Sequence, residues 1–386
     1  MSETTAASET PAAPVTARIR LPGRADPINV AEPGWAASYP PPSSRRVYAA
    51  AHVAASHGGE IDWDATLAFR DYLWAHGFAV AEAMDTAQRG MGLSWPQARE
   101  LIVRSAARAA ERGGDLACGA GTDQLDAGQH SLAEITRAYT EQLAVVQDAG
   151  AEVILMASRA LAASARNAAD YLDVYGQLLS QARRPVILHW LGDAFDPALR
   201  GYWGSPDFAG AAQTVLELIG RSGGQVSGVK LSLLNADHEL TLRRQLPPGV
   251  RLYTGDDFNY ADLIRGDTDG HSDALLGAFA AITAPAAAAL HALDAGDLAG
   301  YDATMGPTVA LSRLIFTEPT YHYKVGVAFL AWLNGLQPDF AMVGGLEKER
   351  SPEHLTQVFE LAAAAGALRD PELAVARMTA FLRAAP

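Results

Sequence analysis

Gln225-Val226-Ser227-Gly228-Val229-Lys230-Leu231-Ser232 is a short apolar run that carries a lysine near its end. Ser222-Gly223-Gly224 before it reads as a turn, and its length and β-rich composition suit a buried strand. An ammonium group is out of place there. Buried without a partner, it loses hydration worth several kcal/mol or gives up its proton. The neutral amine that results is a nucleophile able to condense with a carbonyl compound. The competing reading is a lysine that snorkels to water from a strand end and makes only a salt bridge. The fragment alone favours the salt bridge, because structural lysines outnumber catalytic ones.

The chain on either side supplies more runs of the same kind. Strands are expected over residues 47–51 (ending at His52), 78–84, 115–119, 152–157, 185–189 (ending at His189), 226–230, 250–254 and 274–278. Helical patterns fall between most of them: 63–76 with Asp62 as cap and Gly77 as stop, 96–112, 131–148 with Ser131 and Glu134 as a capping box, 168–182, 208–219 and 260–265. Repeated βα alternation with apolar strands means a parallel sheet covered by helices. Eight such runs between residues 46 and 281 predict a (β/α)8 TIM barrel. An open doubly wound sheet would carry a glycine-rich phosphate loop after its first strand, and residues 52–59 supply none. Beyond residue 281 the pattern is helical (285–293, 310–314, 323–333, 353–365, 371–382), a C-terminal annex. Residues 1–16 read as a disordered tail and 17–45 as a proline-rich, loop-rich N-terminal arm with a short strand at 18–21. The expected division is therefore 1–45, 46–281 and 282–386.

The net charge of −14 over 386 residues argues against nucleic acid, which needs a basic surface. The single cysteine, Cys118, lies in an apolar run and fits an inert buried thiol in a reducing compartment. No apolar run is long enough for a membrane span, and residues 1–16 lack the pattern of a secretory signal. A cytoplasmic location is expected.

A barrel of this kind carries its active site at the C-terminal ends of its strands. The expected strand ends bring His52, Glu82, Asp85, Thr86, His189, Lys230, Asp256-Asp257 and His271 with Asp273 to that mouth. His189 and Lys230 end neighbouring strands, which places a proton carrier beside the amine. Asp256-Asp257 also reads as an Asx-type turn. His52, Glu82, Asp85, His189 and His271 make an alternative set of ligands for a divalent metal, without the spacing of a known metal motif. Lys324 and Lys348 are expected to be solvated in the annex.

Four segments in register resemble the dihydrodipicolinate synthase / N-acetylneuraminate lyase family of Schiff-base barrels. Gly228-Val229-Lys230 matches the strand ending in the Schiff-base lysine, and Leu252-Tyr253-Thr254-Gly255-Asp256-Asp257 the strand after it. The stretch Asp269-Gly270-His271-Ser272-Asp273-Ala274-Leu275-Leu276-Gly277 is similar to the glycine-rich last strand, and Phe316-Thr317-Glu318-Pro319 through Lys324 to a segment of the C-terminal helices. The resemblance reverses the reading of Lys230 toward a covalent role. It implies a homo-oligomer, dimer or tetramer, and no cofactor beyond the lysine imine.

The departures point to a divergent branch. The family's second strand ends in G-T-T-G-E, where this chain has Asp85-Thr86-Ala87-Gln88-Arg89. Thr86 keeps one hydroxyl and Ala87 loses the other, which implies weak binding of a 2-oxo acid carboxylate such as that of pyruvate. His189 stands where the family has a tyrosine, and Asp193-Ala194-Phe195 lacks the arginine that often follows. A true dihydrodipicolinate synthase is therefore not expected. The leading expectation is a Schiff-base lyase, aldolase, synthase or dehydratase acting on a small oxo acid or sugar-derived carbonyl compound. Lys230 is its nucleophile and His189 its proton carrier, with Thr86 as relay. His52, Glu82, Asp85, Trp190, Asp256 and His271 are expected to contact substrate. The alternatives are a metal-dependent barrel enzyme on a sugar-like substrate and a ligand-binding member of the family without catalysis.

Overall fold

The computed structural model describes residues 15–384, so the tail expected over residues 1–16 lies outside them apart from the backbone of Val15 and Thr16. Eight parallel strands close into a barrel: β3 (Val47–Ala50), β4 (Ala79–Glu82), β5 (Leu116–Ala120), β6 (Glu152–Leu155), β7 (Val186–Leu191), β8 (Val226–Ser232), β9 (Arg251–Thr254) and β10 (Asp273–Leu276). Each pairs with its neighbour in sequence, and β10 closes on β3. The predicted TIM barrel is the observed fold. Ahead of it, β1 (Val15–Ile19) and β2 (Ile28–Ala31) form an antiparallel hairpin packed on the last helix, Pro371–Ala384.

Local chemistry sets the helix limits. Asp62 accepts from the Ala65 amide and starts the helix Trp63–Ala75, and Gly77 leaves it at φ +77°. Such a cap is worth about 1 kcal/mol. Ser131 and Glu134 form the expected capping box of the helix Leu132–Asp148. Two short helices escaped the sequence reading, Arg159–Ser164 after β6 and Ala236–Arg243 after β8, each capped by the residue before it. β7 and β8 each run two residues past His189 and Lys230, so neither residue ends its strand.

The strands separate two cores. Inside the barrel Tyr48, Ala50, Ala79, Ala81, Ala117, Ile154, Ile187, Tyr253 and Leu275 pack together, alanines on β3–β5 facing bulkier side chains on β6–β10. Outside, residues of the opposite strand parity meet the helices. A buried clamp ties the first turn of the barrel to that outer layer. Arg70 donates to both Glu82 oxygens (2.7 and 2.8 Å) and to His52 O (2.6 Å), and Ser105 Oγ donates to Glu82 Oε2 (2.6 Å).

After β10 the helices Thr283–Asp294, Leu298–Ile315, Tyr323–Leu333 and Pro352–Ala364 lead to the last helix. The proline-rich arm is ordered by side-chain contacts with them: Trp35 Nε1 donates to Gly366 O (2.7 Å), and the Ser43 and Ser44 amides donate to Asp294. No helix among the described residues is long and apolar enough to cross a membrane.

Candidate active site

Period-two alternation aims Ile187 and His189 of β7 inward, and Leu188 and Trp190 outward. On β8, Lys230 is in register with His189 on one side and with Tyr253 on the other. The Lys230 side chain enters the upper barrel through a gap left by a glycine. A Cβ at Gly255 would lie 2.9 Å from Lys230 Cε and 2.1 Å from Ser232 Oγ. Lys230 is 7% exposed and His189 is fully buried. Burial, opposed by the charges of Asp85 and Asp257, lowers the Lys230 amine from its ordinary range. Burial first, and the Lys230 charge second, hold His189 well below the usual imidazole value, so the ring is neutral.

The β4–α loop brings the next groups. After Glu82 the chain turns through Ala83 (φ +50°) into a single 3₁₀ turn, Asp85–Ala87, and leaves through Gln88 in the left-handed region. This sets Asp85 Oδ2 3.8 Å from His189 Nδ1. It also sets Thr86 Oγ1 2.7 Å from the hydroxyl of Tyr323, with which it shares a hydrogen bond. Tyr323 begins an annex helix, stacks on Phe316 (4.3 Å between ring centres) and meets Phe195 edge-on (6.3 Å). Burial raises its phenol well above the usual value. Gly277 makes room for this cluster, since a Cβ there would lie 3.0 Å from the Tyr323 ring and 3.2 Å from Thr86 Oγ1.

Asp257 completes the group. Its Oδ1 accepts from the Ala278 amide (2.9 Å), and desolvation pushes its carboxyl up to about 7 even though Lys230 lowers it. Several buried polar atoms here lack a hydrogen-bond partner among the described residues: both ring nitrogens of His189, Asp85 Oδ2 and Ser232 Oγ. Buried polar atoms are nearly always paired, so these unpaired groups near Lys230 make this part of the barrel the candidate site.

Of the residues expected at the mouth, Lys230, His189, Thr86, Asp85 and Asp257 come together. The others are placed elsewhere. Trp190 points outward, stacked on Phe208 (5.6 Å) against Trp203, because it neighbours an inward residue. Glu82 is also on the outer face, consumed by Arg70. His52 donates to Gln337 Oε1 (2.7 Å) and lies edge-on to Phe69 (4.4 Å), and burial lowers it to about 4. Asp256 caps its own turn, accepting from the Phe258 and Asn259 amides (2.9 and 3.0 Å). His271 precedes β10 and is exposed at the opposite, N-terminal end of the barrel. The alternative metal ligands therefore do not converge, and no three His, Cys, Asp or Glu side chains form a ligand set among the described residues.

Sequence reasoning missed Tyr323 as a member of the site, placed Asp257 at the mouth only as half of a turn with Asp256, and misplaced Lys324. Lys324 is buried rather than solvated, and burial lowers its amine to about 8. It donates to Tyr321 O (2.8 Å) and lies over the Tyr323 ring. The position of Tyr323 and Lys324 within the annex segment 316–324 was the one sequence signal available for either.

The family model described as "Protein of unknown function (DUF993)" matches residues 23–385. The chain belongs to this family. Among solved structures, this chain is similar in fold to dihydrodipicolinate synthases. The enzyme from Aquifex aeolicus is 15% identical, with a TM-score of 0.64 over 84% of this chain and 99% of that one. The chloride-inhibited enzyme from Acinetobacter baumannii, complexed with pyruvate, is 15% identical with a TM-score of 0.64 over 84% and 100%. That from Thermotoga maritima is 14% identical with a TM-score of 0.63 over 84% and 100%. A comparison with curated proteins finds no match. The resemblance read from four sequence segments is thus met at the level of the fold.

Proposed function

We propose that this DUF993 chain is a Schiff-base lyase acting on a small carbonyl compound through Lys230. The observation that carries the reading is a desolvated amine on the inner face of a parallel barrel, beside a neutral imidazole and a carboxyl poised near neutral pH. In this reading Lys230 Nζ adds to the carbonyl carbon, and the carbinolamine loses its oxygen as water to leave an iminium ion. The iminium accepts the electron pair of an adjacent C–H or C–C bond as that bond breaks, giving an enamine; for dehydration the enamine then expels a β-hydroxyl, which leaves as water with its bonding pair once protonated, and a conjugated iminium results. Asp257 exchanges the proton needed for loss of water. His189, or the hydroxyl pair of Thr86 and Tyr323, carries the proton to or from the carbon. No resident cofactor is needed for these steps. The missing second hydroxyl at Ala87 supports an activity other than dihydrodipicolinate synthesis.

The test is borohydride reduction in the presence of candidate oxo compounds, followed by peptide mapping. The chain has three lysines, Lys230, Lys324 and Lys348, so the adduct is assigned without ambiguity. Lys230→Ala is expected to lose trapping and turnover together. His189→Ala is expected to keep trapping and to lose about 10²- to 10⁴-fold in turnover. An adduct on Lys324, whose amine is also lowered, or full turnover in Lys230→Ala, would end this reading.

A further inference from the structure

We propose that Asp85 is the counter-ion of the covalent intermediate: its carboxylate balances the positive charge that Lys230 carries as an iminium. This rests on the Schiff-base reading and gives a role to a carboxylate beside Lys230 that the proposed steps leave unused.

The need for such a group follows from burial. Lys230 and His189 are both buried under the barrel mouth. Desolvation makes the amine easier to deprotonate, and it penalises the iminium for the same reason, since each cation loses water. The ammonium can shed its charge as a proton, but the iminium cannot. Without an anion close by, the burial that favours attack on the carbonyl disfavours its product. Asp85 and Asp257 are the two acids whose charge acts on Lys230, and Asp85 acts the more strongly. Asp257 is buried and pushed up to about 7, and in the proposed steps it gives and takes a proton, so its charge comes and goes.

The loop after β4 places Asp85 for this task. The 3₁₀ turn Asp85–Ala87 sets its Oδ2 3.8 Å from His189 Nδ1, and His189 is in register with Lys230 across β7 and β8. Oδ2 is buried and makes no hydrogen bond among the described residues, although a carboxylate oxygen is a strong acceptor. The side chain as a whole is 25% exposed and lines a cavity over β4–β7, so part of it meets solvent. The other groups facing this space supply no second fixed anion. The His189 ring is neutral, and the phenols of Tyr323 and of Tyr253, in register with Lys230 on β9, are held above their usual range and so uncharged. Lys324 is a second amine that the Asp85 carboxylate holds up, and it has Tyr321 O at 2.8 Å as its own partner. Arg159 and Asp196, which also act on Lys324, are paired with each other.

Reductive methylation with formaldehyde and a borane reductant reads the free amine at Lys230, Lys324 and Lys348 separately by peptide mapping, with the exposed Lys348 as reference. Asp85→Asn keeps the shape of the side chain and removes its charge. The pH midpoint for labelling Lys230 is expected to fall by about one pH unit or more, since a nearby opposite charge raises an amine by that order. A variant that had merely loosened would hydrate Lys230 and move its midpoint the other way, up toward the ordinary lysine range. Asp85→Glu, which restores the charge, should recover most of the midpoint. At a pH above both midpoints, the acetone concentration that half-saturates borohydride trapping on Lys230 is expected to rise about tenfold in Asp85→Asn, the equivalent of one pK unit. Acetone is neutral, so its entry does not depend on the charge of Asp85. A Lys230 midpoint that stays or rises in Asp85→Asn overturns the inference and leaves the imine chemistry standing, and so does a fall at Lys324 alone, which would assign the carboxylate to that amine. Absence of any Lys230 adduct with acetone, dihydroxyacetone and pyruvate in the unmodified protein overturns the Schiff-base reading itself, and this inference with it.

Discussion

In the proposed mechanism His189 and Tyr323 are the two alternative proton carriers. His189 is neutral and has both nitrogens unpaired, whereas Tyr323 is already hydrogen-bonded to Thr86. Tyr323→Phe keeps the ring that stacks on Phe316 and removes only the hydroxyl. If the hydroxyl pair carries the proton, this change should leave borohydride trapping intact and cut turnover by about 10²- to 10⁴-fold. Unchanged turnover would assign the proton to His189 alone. Only part of this was legible in the sequence. Lys230 and His189 announce themselves as polar residues in apolar strands. Tyr323 does not, because it lies 237 positions from its partner Thr86 and a tyrosine in an apolar helix reads as core. Asp256 and Asp257 are neighbours of one type. Only the turn geometry makes one a cap and turns the other to the Ala278 amide, within reach of the Lys230 charge.

At the scale of single elements, the helix Ala236–Arg243 after β8 contains a buried carboxyl that makes stability depend on pH. Burial pushes Glu239 up to about 8, although Ser272 Oγ donates to it (2.7 Å). Between the unfolded value, about 4.3, and this folded value, the native state holds a proton that the unfolded chain has released. Stability therefore falls as pH rises through that window. Asp257, pushed up to about 7, acts in the same direction. The thermal midpoint should decline between pH 5 and 8 (roughly that window), and Glu239→Gln, which keeps the hydrogen bond without the ionisation, should flatten the decline. An unchanged slope in Glu239→Gln would place the effect elsewhere. The sequence hid this group, since a glutamate in a short helix after a strand reads as solvated.

For the whole molecule, assembly into a dimer or tetramer remains our proposal from the family resemblance. Among the described residues the large apolar side chains left exposed are Val103, Leu298 and Tyr321. Val103 is on a helix packed around the barrel, while Leu298 and Tyr321 belong to the annex. An interface would therefore be largely polar, as non-obligate interfaces are. Light scattering at micromolar concentration is expected to give a multiple of the chain mass, and a monomer mass would overturn the proposal.

The barrel was determined by the sequence alone, because eight apolar runs alternating with helical patterns leave few other ways to bury both faces of a sheet. The same was true of most helix limits, which depend on neighbours within one turn, as at Asp62, Gly77 and Ser131. What only the tertiary structure decided was which side of each strand a residue takes and what reaches it from afar. A strand's phase is set when the barrel closes, and a shift of one residue exchanges the two faces. That is why His189 faces Lys230 while Trp190 joins the outer core. Strand ends matter as much, for they put His271 at the far end of the barrel. The annex contributes Tyr323 and Lys324 only because the folded chain returns across the barrel mouth, and no local pattern encodes a contact at that separation.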